Sequence, residues 1–386
     1  MQPSSALTIL SEDEKLLRQA VLDFSRQEIA PRVRQMDAAG AIDPAVWQGV
    51  FELGLMGIET PEAHGGAGAS FFDAILVVEA LAEFDPSVSV LVDVQNTLVA
   101  NTLLRVASPA QQERYLPRLA ADTVGAYALS EAASGSDAFA LKSTAKKTAT
   151  GWRLNGSKLW ITNGGEADLF IIFANADPEA GYRGISAFLV ERGTPGFQIE
   201  KKEDKLGIRA SSTCPLSLEN VDISEDALLG EVGTGYKVAI ETLNEGRIGI
   251  GAQMVGLAAG ALRIATEHVC EREQFGQKLS EFQAIQYELA EMRTDWEAAR
   301  LMVYNAARLK DAGEDFVAAA AMAKLFSSQV AERNASRAVE LLGGVGFTKE
   351  YGAEKLYRDA KIGAIYEGTS NMQRTTIAKL HLKQYL

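Results

Sequence analysis

Cysteine is nearly absent from this 386-residue chain, which has only Cys214 and Cys270, and they form no CxxC pair. Neither a disulfide framework nor a cysteine-built zinc site can organise such a fold, and the pattern fits a reducing compartment. Histidine is as scarce, at His64, His268 and His381. None stands in an HExxH or GxSxG context, so serine–histidine hydrolysis and histidine-metal chemistry lack their machinery, and no metal site is expected. Positive charge is also short. The 38 Lys and Arg face 51 Asp and Glu, for a net charge of −13, which removes nucleic acid as the main partner because phosphate backbones require a basic footprint. Long hydrophobic runs are missing too. The most apolar stretch, 248–262, is broken by Gln253 and several glycines, and reads as a buried helix, not a membrane span. Met1-Gln2-Pro3-Ser4-Ser5 has neither the basic nor the apolar region of a leader, and acids follow at once in Ser11-Glu12-Asp13-Glu14. The expected location is the cytosol, or an organelle after removal of a presequence.

Nucleotide loops of the familiar kinds are missing as well. Gly65-Gly66-Ala67-Gly68 follows no strand, and Gly343-Gly344-Val345-Gly346 ends a helix instead of opening one. Neither matches GxGxxG or a P-loop, which excludes a Rossmann reading on pattern and on context.

What is present is an ordinary soluble composition, 47% hydrophobic and 23% charged, in a chain long enough for two or three units. The first third has helical periodicity. Ser11 and Glu14 form a capping-box pattern ahead of Leu16, Leu17, Val21 and Phe24, and further helices are expected over 44–53, 74–84 and 86–106. The period then changes. Residues 152–162 read as strand, Asn155-Gly156 turn and strand, with more short strands at 169–174, 186–190 and 196–201. Beyond Gly235 long helical segments return at 236–271, 282–312 and 316–342, each far longer than the mean helix of about 11–12 residues and suited to a bundle. The expected organisation is mainly α with a middle β-domain: helical residues 1–126, β residues 127–235 and bundle residues 236–386.

Three segments carry more than structure requires. Tyr127 to Asp137 (Tyr-Ala-Leu-Ser-Glu-Ala-Ala-Ser-Gly-Ser-Asp) is rich in small and hydroxyl-bearing residues, which leaves backbone N–H groups open to an anionic or planar ligand. Arg272-Glu273-Gln274-Phe275-Gly276, followed by Phe282-Gln283, interrupts two long helices with an arginine able to hold pyrophosphate. Tyr366-Glu367-Gly368-Thr369-Ser370-Asn371 opens the last helical stretch. There Thr369, Ser370 or Asn371 can cap, and a carboxylate between an aromatic and a glycine can be desolvated into a base usable near neutral pH. Taken singly, each segment also fits a polar loop, a helix connection or a surface carboxylate beside a cap.

Together these segments resemble the acyl-CoA dehydrogenase family over roughly residues 11–385. The motifs are Leu129-Ser130-Glu131 through Gly135-Ser136-Asp137, Asn155-Gly156-Ser157-Lys158 through Trp160-Ile161-Thr162-Asn163, Arg272 through Gly276, and Arg358-Asp359-Ala360-Lys361 through Ser370. The resemblance implies an N-terminal helical domain, a β-barrel-like middle domain and a C-terminal four-helix bundle, with FAD at a subunit interface of a homotetramer. It implies that Tyr127, Leu129, Ser130, Gly135, Ser136, Trp160, Ile161 and Thr162 line the flavin. Arg272, Phe275, Gln283, Glu340, Gly343 and Gly344 then form the cross-subunit part, and Thr369, Ser370 and Asn371 the last flavin contact. Substrate contacts are implied at Ser136, Tyr182, Tyr236, Asn244, Glu245, Gly246, Arg247, Tyr366 and Gly368. Glu367 matches the catalytic base, which takes the α-proton while the β-hydride passes to flavin N5. The implied product is a trans-2-enoyl-CoA, and the implied electron acceptor is electron-transfer flavoprotein.

Isovaleryl- and long-chain-type members carry the base at the position aligned with Gly246, which has no side chain; Glu245, about 100° round the helix, is a minor rival to Glu367. The likeness is greatest to the short/branched-chain group acting on 2-methyl-branched acyl-CoA, through Val94-Gln95-Asn96-Thr97-Leu98, residues 205–215 and Leu243-Asn244-Glu245-Gly246-Arg247-Ile248-Gly249-Ile250. Residues 87–93 hold no arginine, which argues against a dicarboxylate substrate of the glutaryl type. Straight-chain butyryl-CoA dehydrogenation, and an oxidase or monooxygenase on the same fold, are the competing readings.

Overall fold

The computed structural model describes residues 6–386; the opening pentapeptide Met1–Ser5 read above lies outside them. Seven helices come first: α1 (Glu12–Phe24), α2 (Val33–Ala39), α3 (Pro44–Glu52), α4 (Phe71–Ala82), α5 (Pro86–Asp93), α6 (Asn101–Val106) and α7 (Pro109–Ala121). Their starts follow local chemistry. Ser11, Ser70 and Ser108 each form a reciprocal capping box, and Asp43 and Asp85 cap helices that open on proline. The helix expected over 86–106 is one rod with a π-helical middle at Val94–Ala100. Its buried Gln95 and Asn96 are satisfied by backbone groups of neighbouring segments.

The middle third is a sheet of β1 (Gly125–Ala128), β2 (Thr144–Lys147), β3 (Gly151–Thr162), β4 (Leu169–Asn175), β5 (Ile185–Glu191), β6 (Phe197–Ile199), β7 (Thr213–Ser224) and β8 (Leu228–Leu229). The path runs β6-β7-β3-β2-β4-β5-β8, with β1 parallel to β4. One expectation fails here. Asn155-Gly156 does not turn a hairpin, because β3 runs straight through it and pairs with β7 along its length. The register shifts between Leu154 and Gly156, a bulge in which Asn155 Oδ1 accepts the Asn220 N–H at 2.9 Å. Strand-length pairing outweighs the local turn signal.

Three long helices follow: α8 (Gly235–Glu271), α9 (Gln283–Asp311) and α10 (Val317–Leu342). Between α8 and α9 lies a small hairpin of β9 (Glu273–Gln274) and β10 (Gln277–Lys278). α11 (Ala353–Ala360) and α12 (Ser370–Leu382) complete the chain, and α8, α9, α10 and α12 form the bundle. α8 is long and apolar enough to cross a membrane, but 78% of its most apolar window is buried within the protein. It packs close to α4 because a Cβ at Gly256 or Gly260 would strike the carbonyls of Glu79 and Glu83.

The three regions are joined by a buried ion cluster. Lys355 Nζ lies 3.0 Å from Asp85 Oδ1 and 2.5 Å from Asp359 Oδ2, while Asp359 Oδ1 accepts the Ile208 N–H at 2.5 Å. Burial alone would lower the Lys355 pKa, but Asp359 and Asp85 hold it above the usual lysine range. Removing one partner of a buried cluster strands the others. Lys355→Met should therefore lower unfolding stability by about 3–5 kcal/mol in urea titrations; a loss below about 1 kcal/mol would show that water reaches the aspartates.

Candidate active site

Where the helical region, the sheet and the bundle meet there is a cavity of about 180 Å³. One wall is the loop after β1, with Tyr127, Leu129, Ser130, Gly135 and Ser136; the end of β3 adds Trp160, Ile161 and Thr162. A buried ion pair holds this wall. Lys158 Nζ lies 2.6 Å from Glu131 Oε1, and the Glu131 carboxylate accepts the backbone N–H groups of Lys142 and Ser143. Burial pushes Lys158 down to about 8, with Glu131 opposing the shift. Trp160 has φ +64° and is 61% exposed, and nothing lies within 4 Å of where a Gly135 Cβ would stand. This open, hydroxyl-edged wall can take a planar ring system with backbone N–H groups at its edge.

The opposite wall is Glu367 and Gly368, with Met372 from α12 and Leu243 and Arg247 from α8; Val94 and Leu98, on the π-helical turn, close the apolar end. Glu367 takes φ +48° and Gly368 φ +84°, a left-handed pair that an ordinary residue tolerates only under restraint. The restraint comes from several sides. Lys324 Nζ donates to Gly368 O at 2.7 Å, and Gln373 Nε2 donates to it at 2.8 Å. Tyr366 bonds Gln253 through its hydroxyl, and Gln253 Nε2 donates to Pro86 O at 2.6 Å. Thr369 Oγ1 caps α12 by accepting the Met372 N–H at 3.3 Å, while Ser370 and Asn371 start the helix beside it.

Glu367 is part-exposed as a residue, yet its Oε2 is fully enclosed and meets no donor. Burial raises its pKa above the usual glutamate range, and Lys324 and Arg247 oppose that. Lys324 is itself pushed down to about 8 by burial and held up by Glu367. A poorly solvated carboxylate with one unpaired oxygen, on a residue that lines a cavity, is equipped to accept a proton.

The other expected site residues fall into separate places. Tyr182 stacks edge-on against Tyr236 at 5.1 Å, and Phe139 meets Tyr236 at 6.4 Å, which sets this aromatic cluster at the far end of the loop that carries Ser136. Asn244 Oδ1 accepts from Arg247 Nη1 at 2.7 Å. Glu245 turns away from the cavity, where it is buried, ion-paired to Arg105 and bonded by Asn101 Nδ2 at 3.0 Å. Gly246 has no side chain, and a Cβ there would lie 3.1 Å from Glu367 Oε2. Arg272, Phe275, Gln283, Glu340, Gly343 and Gly344 are exposed and away from the cavity; Phe275 is 95% exposed, and the Gly343 and Gly344 Cβ positions face open space. Sequence reasoning missed Lys324 and Asp93. A lone charge inside an alanine-rich stretch and another ending Ser-Val-Ser-Val-Leu-Val were the available signals.

Three descriptions match along the chain: acyl-CoA dehydrogenase, N-terminal domain, over 11–123; middle domain, over 126–221; and C-terminal domain, over 233–382. A probable short/branched chain specific acyl-CoA dehydrogenase from Dictyostelium discoideum is 51% identical over 98% of this chain and 92% of its own length. The structure of butyryl-CoA dehydrogenase from Megasphaera elsdenii superposes with TM-score 0.95 at 40% identity, covering 97% of this chain and 99% of the other. A glutaryl-CoA dehydrogenase from Mycobacterium smegmatis in complex with FADH2 superposes with TM-score 0.92 at 30% identity, covering 99% and 97%.

Replacing Lys324 by Gln keeps a donor for Gly368 O but removes a cation that faces Glu367. The Glu367 carboxyl should then hold its proton to higher pH, as read by infrared titration of the carboxylate band assigned with Glu367→Gln. An unmoved band would mean that Lys324 does not act on Glu367.

Proposed function

The chain belongs to the acyl-CoA dehydrogenase family, and from that premise we propose that it oxidises short, 2-methyl-branched acyl-CoA thioesters with Glu367 as the base. The observation that carries this reading is the Glu367 carboxyl group: enclosed and unpaired at Oε2, close to side-chain-free Gly246, on a residue that lines the cavity. Glu245, the rival one residue from Gly246, is committed to Arg105 and Asn101 outside it.

The residues present fit FAD. The exposed Trp160 ring, the open space at Gly135 and the hydroxyls of Ser130 and Thr162 form a cradle for a planar ring. In this reading the Arg272–Gly276 hairpin and the Gly343-Gly344 turn serve a neighbouring subunit of a homotetramer, which their exposure supports. Bound FAD supplies the hydride acceptor for the β-hydrogen. The protein's own residues do the rest. Glu367 takes the α-proton. That proton is acidic only while the thioester carbonyl is hydrogen-bonded, and the Glu367 backbone N–H is the donor we assign to it. Ser136 and the Tyr182–Tyr236 pair, in edge-on contact, would hold the CoA part, and Thr369–Asn371 would help to hold the flavin. The product is the trans-2-enoyl-CoA, and electron-transfer flavoprotein is the onward acceptor.

The apolar end walled by Val94, Leu98 and Leu243 favours a short chain. One methyl group separates 2-methylbutyryl- from butyryl-CoA, which limits discrimination to about 10–200-fold. Anaerobic titration of the flavin absorbance with 2-methylbutyryl-, isobutyryl- and butyryl-CoA tests the reading. Wild type should bleach fastest with the 2-methyl substrate. Glu367→Gln should slow bleaching by at least about 10²-fold, while Glu245→Gln should bleach within a few-fold of wild type. Rapid bleaching by Glu367→Gln would move the base elsewhere. Because Glu367 works ionised and burial raises its pKa, the rate should fall on acidification at a pH above that of an ordinary glutamate.

A further inference from the structure

Two glycines one turn apart on α8 each have a carboxyl group where a side chain would stand. A Cβ on Gly246 would lie 3.1 Å from Glu367 Oε2; one on Gly249 would collide with Asp93 Oδ1, and its three nearest atoms all belong to the Asp93 carboxyl. Positions three apart share a helix face, with Cβ atoms about 5–6 Å from each other, so the two carboxyls are neighbours along one face. Water reaches neither freely: Asp93 is 1% exposed and Glu367 Oε2 is enclosed.

Their surroundings differ. Glu367 is faced by the cations Arg247 of α8 and Lys324 of α10. Among the described residues no cation is set against Asp93; its side-chain hydrogen bond comes from the neutral Thr97 hydroxyl, at 3.1 Å from Oδ1. The phenols of Tyr127 on β1, which feels the Glu367 charge, and of Tyr366, which faces both Asp93 and Glu367, are neutral and held above the usual range chiefly by burial. Two neighbouring carboxylates in so dry a place cannot both ionise cheaply, and the one lacking a cation keeps the proton.

We infer that Asp93 is a positioning residue for Glu367: the two carboxyls hold one proton between them, and it stays on Asp93 while Glu367 is the ionised member. The inference rests on Glu367 being the base. Burial and the Glu367 charge together place the Asp93 pKa well above the usual carboxylate range, so the pair loses its protons in two separated steps. The first produces the working base. The second ionises Asp93, whose charge favours proton uptake by Glu367, because uptake carries the negative charge off Glu367 onto the substrate. The proton-abstraction rate therefore rises a second time above the pH of the first step.

The test is the rate of anaerobic flavin reduction by 2-methylbutyryl-CoA, measured in holoenzyme from acid to alkaline pH. Asp93→Asn keeps the size of the side chain and an acceptor for Thr97. Wild type should show two rising steps; Asp93→Asn should keep the first and lose the second, leaving its alkaline rate several-fold below wild type. Two unchanged steps in Asp93→Asn, or a single step in wild type, would overturn the inference. Glu367→Gln separates the two readings: bleaching that persists there sinks the assignment of the base, whereas a silent Glu367→Gln beside an Asp93→Asn that tracks wild type sinks only the role of Asp93. Thermal unfolding checks the seat independently of turnover. Gly249→Ala should lower Tm, and adding Asp93→Ala should restore most of the loss; an equal loss with the carboxyl removed would show that the two do not share that space.

Discussion

The desolvation of one carboxylate is the constraint around which this structure is arranged. An ionised glutamate taken out of water loses solvation worth several kcal/mol, and Glu367 recovers only part of it, from two cations that are themselves poorly solvated. The left-handed turn that carries it would relax if left alone. Lys324 and Gln373 grip the next carbonyl, and Tyr366 is tied through Gln253 to the start of α5. Residual basicity and backbone restraint are thus consequences of the same packing.

The device recurs. Lys158 with Glu131 stiffens the loop that forms the opposite wall, and Lys355 with Asp85 and Asp359 joins the helical region, the sheet and the bundle. Such clusters are weak sources of net stability, because desolvation offsets most of the attraction, but breaking one is costly. Their effect here is geometric. The first holds a loop that borders the cavity and the second holds the junction of the three regions, while α8, with its glycine-lined faces, lets the helical region and the Glu367 turn approach closely.

Much of this was legible in the chain. The Ser11 capping box announced the first helix, the change of period marked the sheet, and residues from the stretches 127–136 and 160–162 meet Glu367 and Gly368 around one cavity. The misread hairpin at Asn155-Gly156 shows the limit: a local turn signal competes with pairing to β7, which is remote in sequence. Lys324 and Asp93 were illegible for a related reason. A charge within an apolar helix declares that it is buried, but its partner lies tens or hundreds of residues away and is fixed only by the packing of α5, α8 and α10. The Arg272–Gly276 hairpin makes the converse point: the sequence singles it out, yet it is exposed and lies outside the chain's cavity.

The most direct test of the account is a crystal structure of the FAD-loaded Glu367→Gln variant with 2-methylbutyryl-CoA bound. The account predicts the side chain at position 367 against the substrate α-carbon, within about 3–3.5 Å, with the branched acyl group between Val94, Leu98 and Leu243. An α-carbon lying against any other carboxylate, Glu245 above all, with position 367 turned away, would contradict it.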